Sequence, residues 1–291
     1  MPLPICYLNG QFLPIVSARV SPLDRAFLFG DAVYEVVPVY AGRPFRFREH
    51  FDRLGRSLAA IRMTAPLSHQ EWADVCHELI ARNDGAERDL YLYVQVSRGA
   101  EFGRNHVWSD GLVPTLFAYV TPLEPLAAEV VASGVAAVTA QDIRWARRDI
   151  KATALLANLL LKKLSADKGA YETILLEGGE LTEGSSTTVH IVEDGVIHTP
   201  PNSNQILPGT TRDVVTELAE KLGIPSKVGA ISESRLRAAD EIWLAFSTRG
   251  VLPVTVLDGA PVGEGKPGAA FLRMHAAFEC NVHELAGTPT L

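Results

Sequence analysis

Thr121-Pro122-Leu123-Glu124-Pro125 divides the sequence. Two prolines within four residues remove backbone donors and stiffen the chain, so regular strand pairing should stop here. The expected linker covers residues 121–127. It separates a small α+β domain over residues 1–120 from a larger domain over residues 128–291. Upstream, Asn9-Gly10 is a hairpin dipeptide between apolar runs. A second hairpin runs from Ala32 to Tyr40, turns at Ala41-Gly42 and returns over Arg43–Phe47. Phe51, Leu54, Leu58 and Ile61 have helical spacing, which predicts a helix over 49–61. Ser68 and Glu71 form a capping-box pattern ahead of a helix to Arg82. Leu90–Ser97 and Leu112–Val120 read as strands, with a polar loop over 101–111 between them.

Beyond the linker, Val130–Ala140 reads as a strand, and an apolar helix over 153–168 stops at Gly169. Short strands follow at 174–176, 189–192 and 196–199, with turns at Glu177-Gly178-Gly179 and Asp194-Gly195. A helix over 213–222 ends at Gly223. Strands at 242–246 and 254–257 precede a closing helix over 271–284. Strands and helices mix without a strict βαβ alternation, so the expected class is α+β in two domains. The sequence holds no repeat and no glycine-rich dinucleotide fingerprint after a strand.

With 291 residues and 47% hydrophobic content, the chain can bury one large core or two ordinary ones. A net charge of −7 argues against a nucleic-acid binder, which needs a basic face. Cys6, Cys76 and Cys280 are far apart and odd in number, which argues against a disulfide framework or a zinc site; no metal is expected. The first residues lack a basic n-region, and the longest apolar run, Ala154–Leu161, is too short to span a bilayer. A soluble, reducing, cytoplasmic setting is expected.

Lysine is unevenly distributed. None occurs before position 151; Lys151, Lys162, Lys163, Lys168, Lys221, Lys227 and Lys266 follow. Lys162, Lys163, Lys168 and Lys221 lie near expected helix C-termini, where a solvated cation is favoured by the helix dipole. Lys227 and Lys266 sit in loops. Lys151 instead follows Ile150 and opens an apolar stretch. An amine taken out of water loses affinity for its proton, and the neutral amine is what a Schiff base requires. On spacing alone, a structural cation and an activated amine both fit.

The words around Lys151 add a resemblance. They are Gly30-Asp31-Ala32-Val33-Tyr34-Glu35, Glu49-His50-Phe51-Asp52-Arg53-Leu54, Arg104-Asn105-His106, Asp149-Ile150-Lys151, Leu181-Thr182-Glu183-Gly184-Ser185-Ser186 and Leu207-Pro208-Gly209-Thr210-Thr211-Arg212. Together, over roughly residues 5 to 280, they resemble the class IV, fold-type IV, aminotransferases that depend on pyridoxal 5′-phosphate, and within them the bacterial D-amino-acid branch. The resemblance implies a homodimer, with the cofactor between the two domains and each site completed by the partner subunit. It implies that Lys151 is the Schiff-base lysine and the proton carrier. Glu183 matches the carboxylate facing the pyridine nitrogen, which keeps the ring an electron sink. Arg53 matches the phosphate-binding arginine, whose planar fork suits a phosphate. Thr210 and Thr211, which precede the helix expected over 213–222, match further phosphate contacts. Ser247 matches another, Leu207 matches the apolar residue on the ring, and Ser185 and Ser186 line the site.

Tyr34, Arg104 and His106 match the carboxylate trap of the D-amino-acid enzymes, with Thr248 beside the substrate. The implied reaction moves an amino group from a D-amino acid such as D-alanine to a 2-oxo acid such as 2-oxoglutarate, in two half-reactions. Three departures stand out: residues 98–104 are one residue longer than the family pattern, Thr188 replaces a common asparagine, and Arg249 replaces a small residue. Within the same fold, a branched-chain L-amino-acid transaminase, an (R)-amine transaminase and an aminodeoxychorismate lyase are the alternatives. Outside catalysis, the alternative is a cofactor-binding scaffold.

Overall fold

The computed structural model describes residues 1–287, with side chains through Glu284. The chain forms two compact units. The first comprises Met1–Glu124, Ile150–Ala154 and the end of the closing helix from Glu284; the second comprises Pro125–Asp149 and Leu155–His283.

The first unit contains β1 (Ile5–Leu8), β2 (Gln11–Pro14), α1 (Arg25–Phe29), β3 (Ala32–Tyr40), β4 (Arg43–Pro44), α2 (Phe47–Ala60), α3 (His69–Ala81), β5 (Leu90–Ser97) and β6 (Thr115–Pro122). The strands pair antiparallel in the order β2-β1-β6-β5-β3-β4. Alternation decides which side chains face the core. Leu90, Leu92, Val94 and Val96 of β5 are all buried, as are Val33, Val37 and Val39 of β3. Phe51, Leu54 and Leu58 of α2, with Trp72, Cys76 and Leu79 of α3, fill the same core at helical spacing. Ser68 caps α3, and Glu71 returns a bond to the Ser68 N–H.

One short segment of this unit arrives late in the sequence. Strand β4 reaches only Val39 and Tyr40, so the start of β3 has an open edge. Residues 150–154 fill it. Tyr34 N–H donates to the Lys151 carbonyl at 3.0 Å, Thr153 N–H donates to the Ala32 carbonyl at 3.0 Å, and Val33 bridges Ala152.

The second unit contains α4 (Ala128–Ser133), β7 (Val135–Gln141), α5 (Leu156–Asp167), β8 (Glu172–Glu177), β9 (Glu180–Gly184), β10 (Thr188–Glu193), β11 (Val196–Thr199), α6 (Thr210–Leu222), β12 (Ser226–Val228), α7 (Glu233–Ala238), β13 (Glu241–Phe246), β14 (Gly250–Leu257), β15 (Ala260–Pro261) and α8 (Ala269–Gly287), whose last residues fall in the first unit. Its strands run β12-β11-β10-β13-β14-β7-β8-β9, with β15 on β14. The sheet is mixed: β14, β7 and β8 are parallel neighbours, while β10, β13 and β14 are antiparallel. Val189, Ile191, Ile242, Leu244, Leu252 and Val254 form the centre of its core.

Several expectations from sequence need correction. Thr121 and Pro122 still pair with Tyr91 and Leu90, so the two prolines do not interrupt β6. Pro122 ends the strand, where a missing donor is tolerated. The stretch expected as one strand over 130–140 begins as α4 and becomes β7 only after Gly134, which leaves the helix at φ 71°. The apolar helix starts at Leu156 rather than Thr153, because residues 150–154 are held extended along β3. Thr210 and Thr211 do not precede α6 but form its first turn, with Gly209 as the N-cap.

The Ala41-Gly42 turn rests on a close approach. Gly42 has φ +74°, and a Cβ there would lie 2.2 Å from the Ala86 carbonyl oxygen. Gly42→Ala is expected to lower stability by at least about 1 kcal/mol, read as a lower urea midpoint at unchanged slope.

Candidate active site

Strand β3 turns Val33, Glu35, Val37 and Val39 inward, so a carboxylate sits at a core position and Glu35 is fully buried. Helix α2 supplies its partners. Arg53 donates from Nε to Glu35 Oε1 at 2.7 Å and from Nη2 to Oε2 at 2.8 Å, and His50 Nδ1 lies 2.8 Å from Oε2. Burial raises the Glu35 carboxyl, but the attraction and hydrogen bonds of Arg53 outweigh it and bring the pKa down to about 2. Burial depresses His50; Glu35 opposes this, while the charges of Arg53 and Lys151 add to it.

Lys151 sits beside this group in the same unit. It is half-buried, its N–H donates to Ser57 Oγ at 3.2 Å, and its Nζ lies 4.3 Å from the centre of the Tyr34 ring. Tyr34 in turn stacks on Tyr93. Lys151 is the only lysine of the first unit. Arg147 and Arg148, the basic residues preceding it in sequence, are spent on Asp149 and Glu177.

Arg104 and His106 lie on the exposed loop after β5 and meet at Phe29: the Arg104 guanidinium is 4.8 Å and the His106 ring 5.7 Å from its centroid. The structure therefore joins these two to each other, while Tyr34 packs on Lys151 and Tyr93. Buried ion pairs anchor the loop. Arg25 binds Asp31 at 2.8 Å and Glu101 at 3.0 Å and also donates to the Asn105 carbonyl at 2.8 Å. Arg98 binds Asp31 as well and covers Trp108 at 4.0 Å.

In the second unit, Glu183 near the end of β9 is buried. Arg144 donates to its Oε1 at 2.5 Å, and the Leu207 N–H donates to its Oε2 at 3.2 Å. Burial pushes the Glu183 carboxyl up; Arg144 and Leu207 N–H pull it down without cancelling that effect, and Asp142 adds to the rise. The first turn of α6 has no side-chain cap, so its N–H groups and the helix dipole favour an anion. Thr210 Oγ1 lies 3.4 Å from Ser247 Oγ. A Cβ on Gly209 would lie 2.7 Å from Thr188 Oγ1, so glycine lets Thr188 pack closely against the start of α6. Thr248 is half-buried beside Ser247. Arg249 acts electrostatically on Tyr171, where it opposes the rise that burial causes in the phenol. Ser186 is exposed but donates its hydroxyl to Glu172 at 3.0 Å, and buried Ser185 donates to the same carboxylate.

Residues 32–257 match the family model described as amino-transferase class IV. The chain belongs to the class IV aminotransferases. Among curated relatives, the D-alanine aminotransferase of Listeria monocytogenes is 38% identical over 93% of both chains. That of Bacillus licheniformis is 36% identical over 94% of this chain and 95% of its own. Among solved structures, the branched-chain amino acid aminotransferase of Escherichia coli superposes with TM-score 0.90 at 28% identity, covering 96% of this chain and 94% of that one. The T.th. branched-chain enzyme, solved with pyridoxamine 5′-phosphate, gives 0.87 at 27% identity, covering 98% and 96%.

Sequence reasoning missed the partners in this aminotransferase: Glu35 and His50 around Arg53, Arg144 and Asp142 around Glu183, and Glu172 under the two serines. Glu35 carried a readable signal, because it occupies an inward position between Val33 and Val37 and a carboxylate there needs a cation. Arg144 is visible in the sequence only as one of three clustered arginines.

Glu35→Gln removes the buried carboxylate that Arg53 binds through both oxygens, and about 3 kcal/mol of stability should be lost near neutral pH. The sign follows from the depressed carboxyl. Its contribution is present above the unfolded value and disappears as pH falls toward 2. Urea unfolding of both proteins from about pH 7 to about pH 2.5 should therefore show the gap narrowing in acid.

Proposed function

We propose that this chain is a pyridoxal-phosphate-dependent transaminase that moves an amino group from a D-amino acid such as D-alanine to a 2-oxo acid. The observation carrying the reading is the 36–38% identity to D-alanine aminotransferases along nearly the whole of both chains. The high structural similarity to branched-chain enzymes reports the shared fold, at lower identity, and does not choose the substrate.

The residues present fit the cofactor. Asp142, Glu177 and Glu183 bring three negative charges to a cluster in which Arg144 and Arg148 supply two positive ones. One negative charge is left, and among the described residues Glu183 accepts two of the bonds that a carboxylate can take. A protonated ring nitrogen meets both needs. When bound, pyridoxal phosphate supplies an aldehyde for the substrate amine and a ring that takes up electron density.

In this reading, Lys151 Nζ holds the cofactor between turnovers, then takes the proton from the substrate Cα and returns it. Its place is fixed by the backbone bonds to β3, and the Tyr34 ring limits where Nζ can point. Thr210, Thr211 and Ser247 receive the phosphate with the first turn of α6, and Arg53 contributes charge that Glu35 already partly balances. Leu207 packs on the ring, Ser186 lines the pocket as an acceptor, and Thr248 adjoins the substrate. Tyr34, Arg104 and His106 fix the substrate carboxylate, the last two in the site of a partner copy. A fixed carboxylate allows one enantiomer to present its Cα–H to Lys151.

A homodimer follows from this reading. Phe27, Phe102, Val107 and Val113 of the first unit leave large apolar side chains in water, which a second copy would cover. Among the described residues no helix is long and apolar enough to cross a membrane, and we place the enzyme in the cytoplasm. Light scattering should give the mass of a dimer, and Phe102→Glu combined with Val107→Glu should shift it toward the monomer.

With D-alanine and 2-oxoglutarate, the purified enzyme should release pyruvate. L-Leucine and (R)-phenylethylamine should react at least about 100-fold more slowly. Lys151→Ala should lose both the activity and the visible absorption of bound cofactor. Faster turnover of L-leucine would move the assignment to the branched-chain enzymes, and activity retained in Lys151→Ala would end it.

A further inference from the structure

Glu183 does not stand alone on β9. Arg144 spends most of its guanidinium on a different residue: Nε donates to Asp142 Oδ1 at 3.0 Å and Nη2 to Asp142 Oδ2 at 2.7 Å, leaving Nη1 for Glu183 Oε1. Asp142 is itself fixed, its N–H donating to the Leu176 carbonyl at 2.8 Å and its Oδ2 accepting from Thr182 Oγ1 at 2.8 Å. All three charged side chains are buried. The series is therefore carboxylate, guanidinium, carboxylate, with the cation bidentate on one end and single-bonded on the other.

We propose that Arg144 is a positioning residue for Glu183, and that Asp142 sets how much of the Arg144 charge Glu183 receives. Nη1 and the Leu207 N–H each hold one oxygen of Glu183, which fixes the plane of the carboxylate. The remaining lone pairs then have a defined direction. The electrostatic part has two opposed contributions. Arg144 favours the ionised form of Glu183; Asp142 draws that charge away and, being an anion, disfavours it. The other charges in the cluster are Arg148, 3.5 Å from Asp142, and Glu177, paired to Arg148 at the more exposed edge. Asp142 thus prevents Arg144 from neutralising Glu183 completely. A carboxylate held this way stays anionic, yet retains enough basicity to keep a proton on a ring nitrogen opposite it.

The inference rests on the reading of Glu183 as the ring-nitrogen partner. It gives two substitutions opposite effects, which a merely structural role would not. In Arg144→Gln, Glu183 loses its cation and takes up a proton at higher pH. In Asp142→Asn, Arg144 is released toward Glu183, which then stays ionised to lower pH.

The test is cofactor retention against pH, followed by the visible absorption and the dissociation constant of pyridoxal phosphate in the holoenzyme. Circular dichroism confirms folding. As pH falls, Arg144→Gln should release cofactor at a midpoint about one unit above that of the unaltered enzyme, the size of shift an adjacent opposite charge produces. Asp142→Asn should move the midpoint downward. Arg144→Lys, which keeps a charge but not the two-way fork, should fall between the unaltered enzyme and Arg144→Gln. Midpoints that coincide, or that move in the same direction for both substitutions, overturn the proposal. Glu183→Gln serves as the control. If it binds cofactor like the unaltered enzyme at every pH, the ring-partner assignment fails and the inference falls with it. If it binds weakly while the Arg144 and Asp142 variants do not shift, the inference alone fails.

Discussion

Two backbone hydrogen bonds seat the lysine: Tyr34 N–H to the Lys151 carbonyl, and Thr153 N–H to the Ala32 carbonyl. They exist because β4 is only two residues long and leaves the start of β3 unpaired. An open strand edge is a liability in most proteins. Here it captures a segment that lies far along the sequence. The consequence is that Lys151, Tyr34, Glu35, Arg53 and Ser57 are all referenced to one strand and the helix packed on it. A side chain carried on a paired strand is held more firmly than one on a free loop, which is what the proton transfer proposed for Lys151 would require.

Charge in both units follows a common pattern. Arg53 and Glu183 are each flanked by a group of opposite charge, and each shares that group with a second residue. Arg53 shares Glu35 with His50, and Glu183 shares Arg144 with Asp142. The outcomes differ: Glu35 is pulled to about 2 by its bidentate arginine, whereas Glu183, with one bond from a shared guanidinium, is pushed up. Burial raises both carboxyls: two bonds from Arg53, helped by His50, outweigh it at Glu35, whereas Arg144 and the Leu207 N–H do not at Glu183, where Asp142 adds to the rise.

The sequence announced the hairpins at Asn9-Gly10 and Asp194-Gly195, the α3 capping box and the Gly223 stop, because each depends on a few adjacent residues. It also carried the family words around Lys151, Glu183 and Thr210-Thr211. What it hid was set by distance. The docking of residues 150–154 onto β3 depends on how far β4 extends, and no local pattern records that. Thr121 and Pro122 looked like a linker because proline disfavours pairing, but a strand can end on proline, where its missing N–H costs little. Glu172 lies beneath Ser185 and Ser186 through the β8–β9 pairing, which a strand whose own sequence is Glu-Leu-Thr-Glu-Gly barely suggests.

The placement of Lys151 has a chemical consequence for selectivity. The first unit presents a single lysine amine. Aldehydes condense with any neutral amine they can reach, so a unit rich in lysine would divert them onto its surface. Here arginine carries the cationic work of this unit, and arginine does not form a simple imine under ordinary conditions. An aldehyde that condenses with a side-chain amine of this unit has one address, and a single modified peptide would report its occupancy.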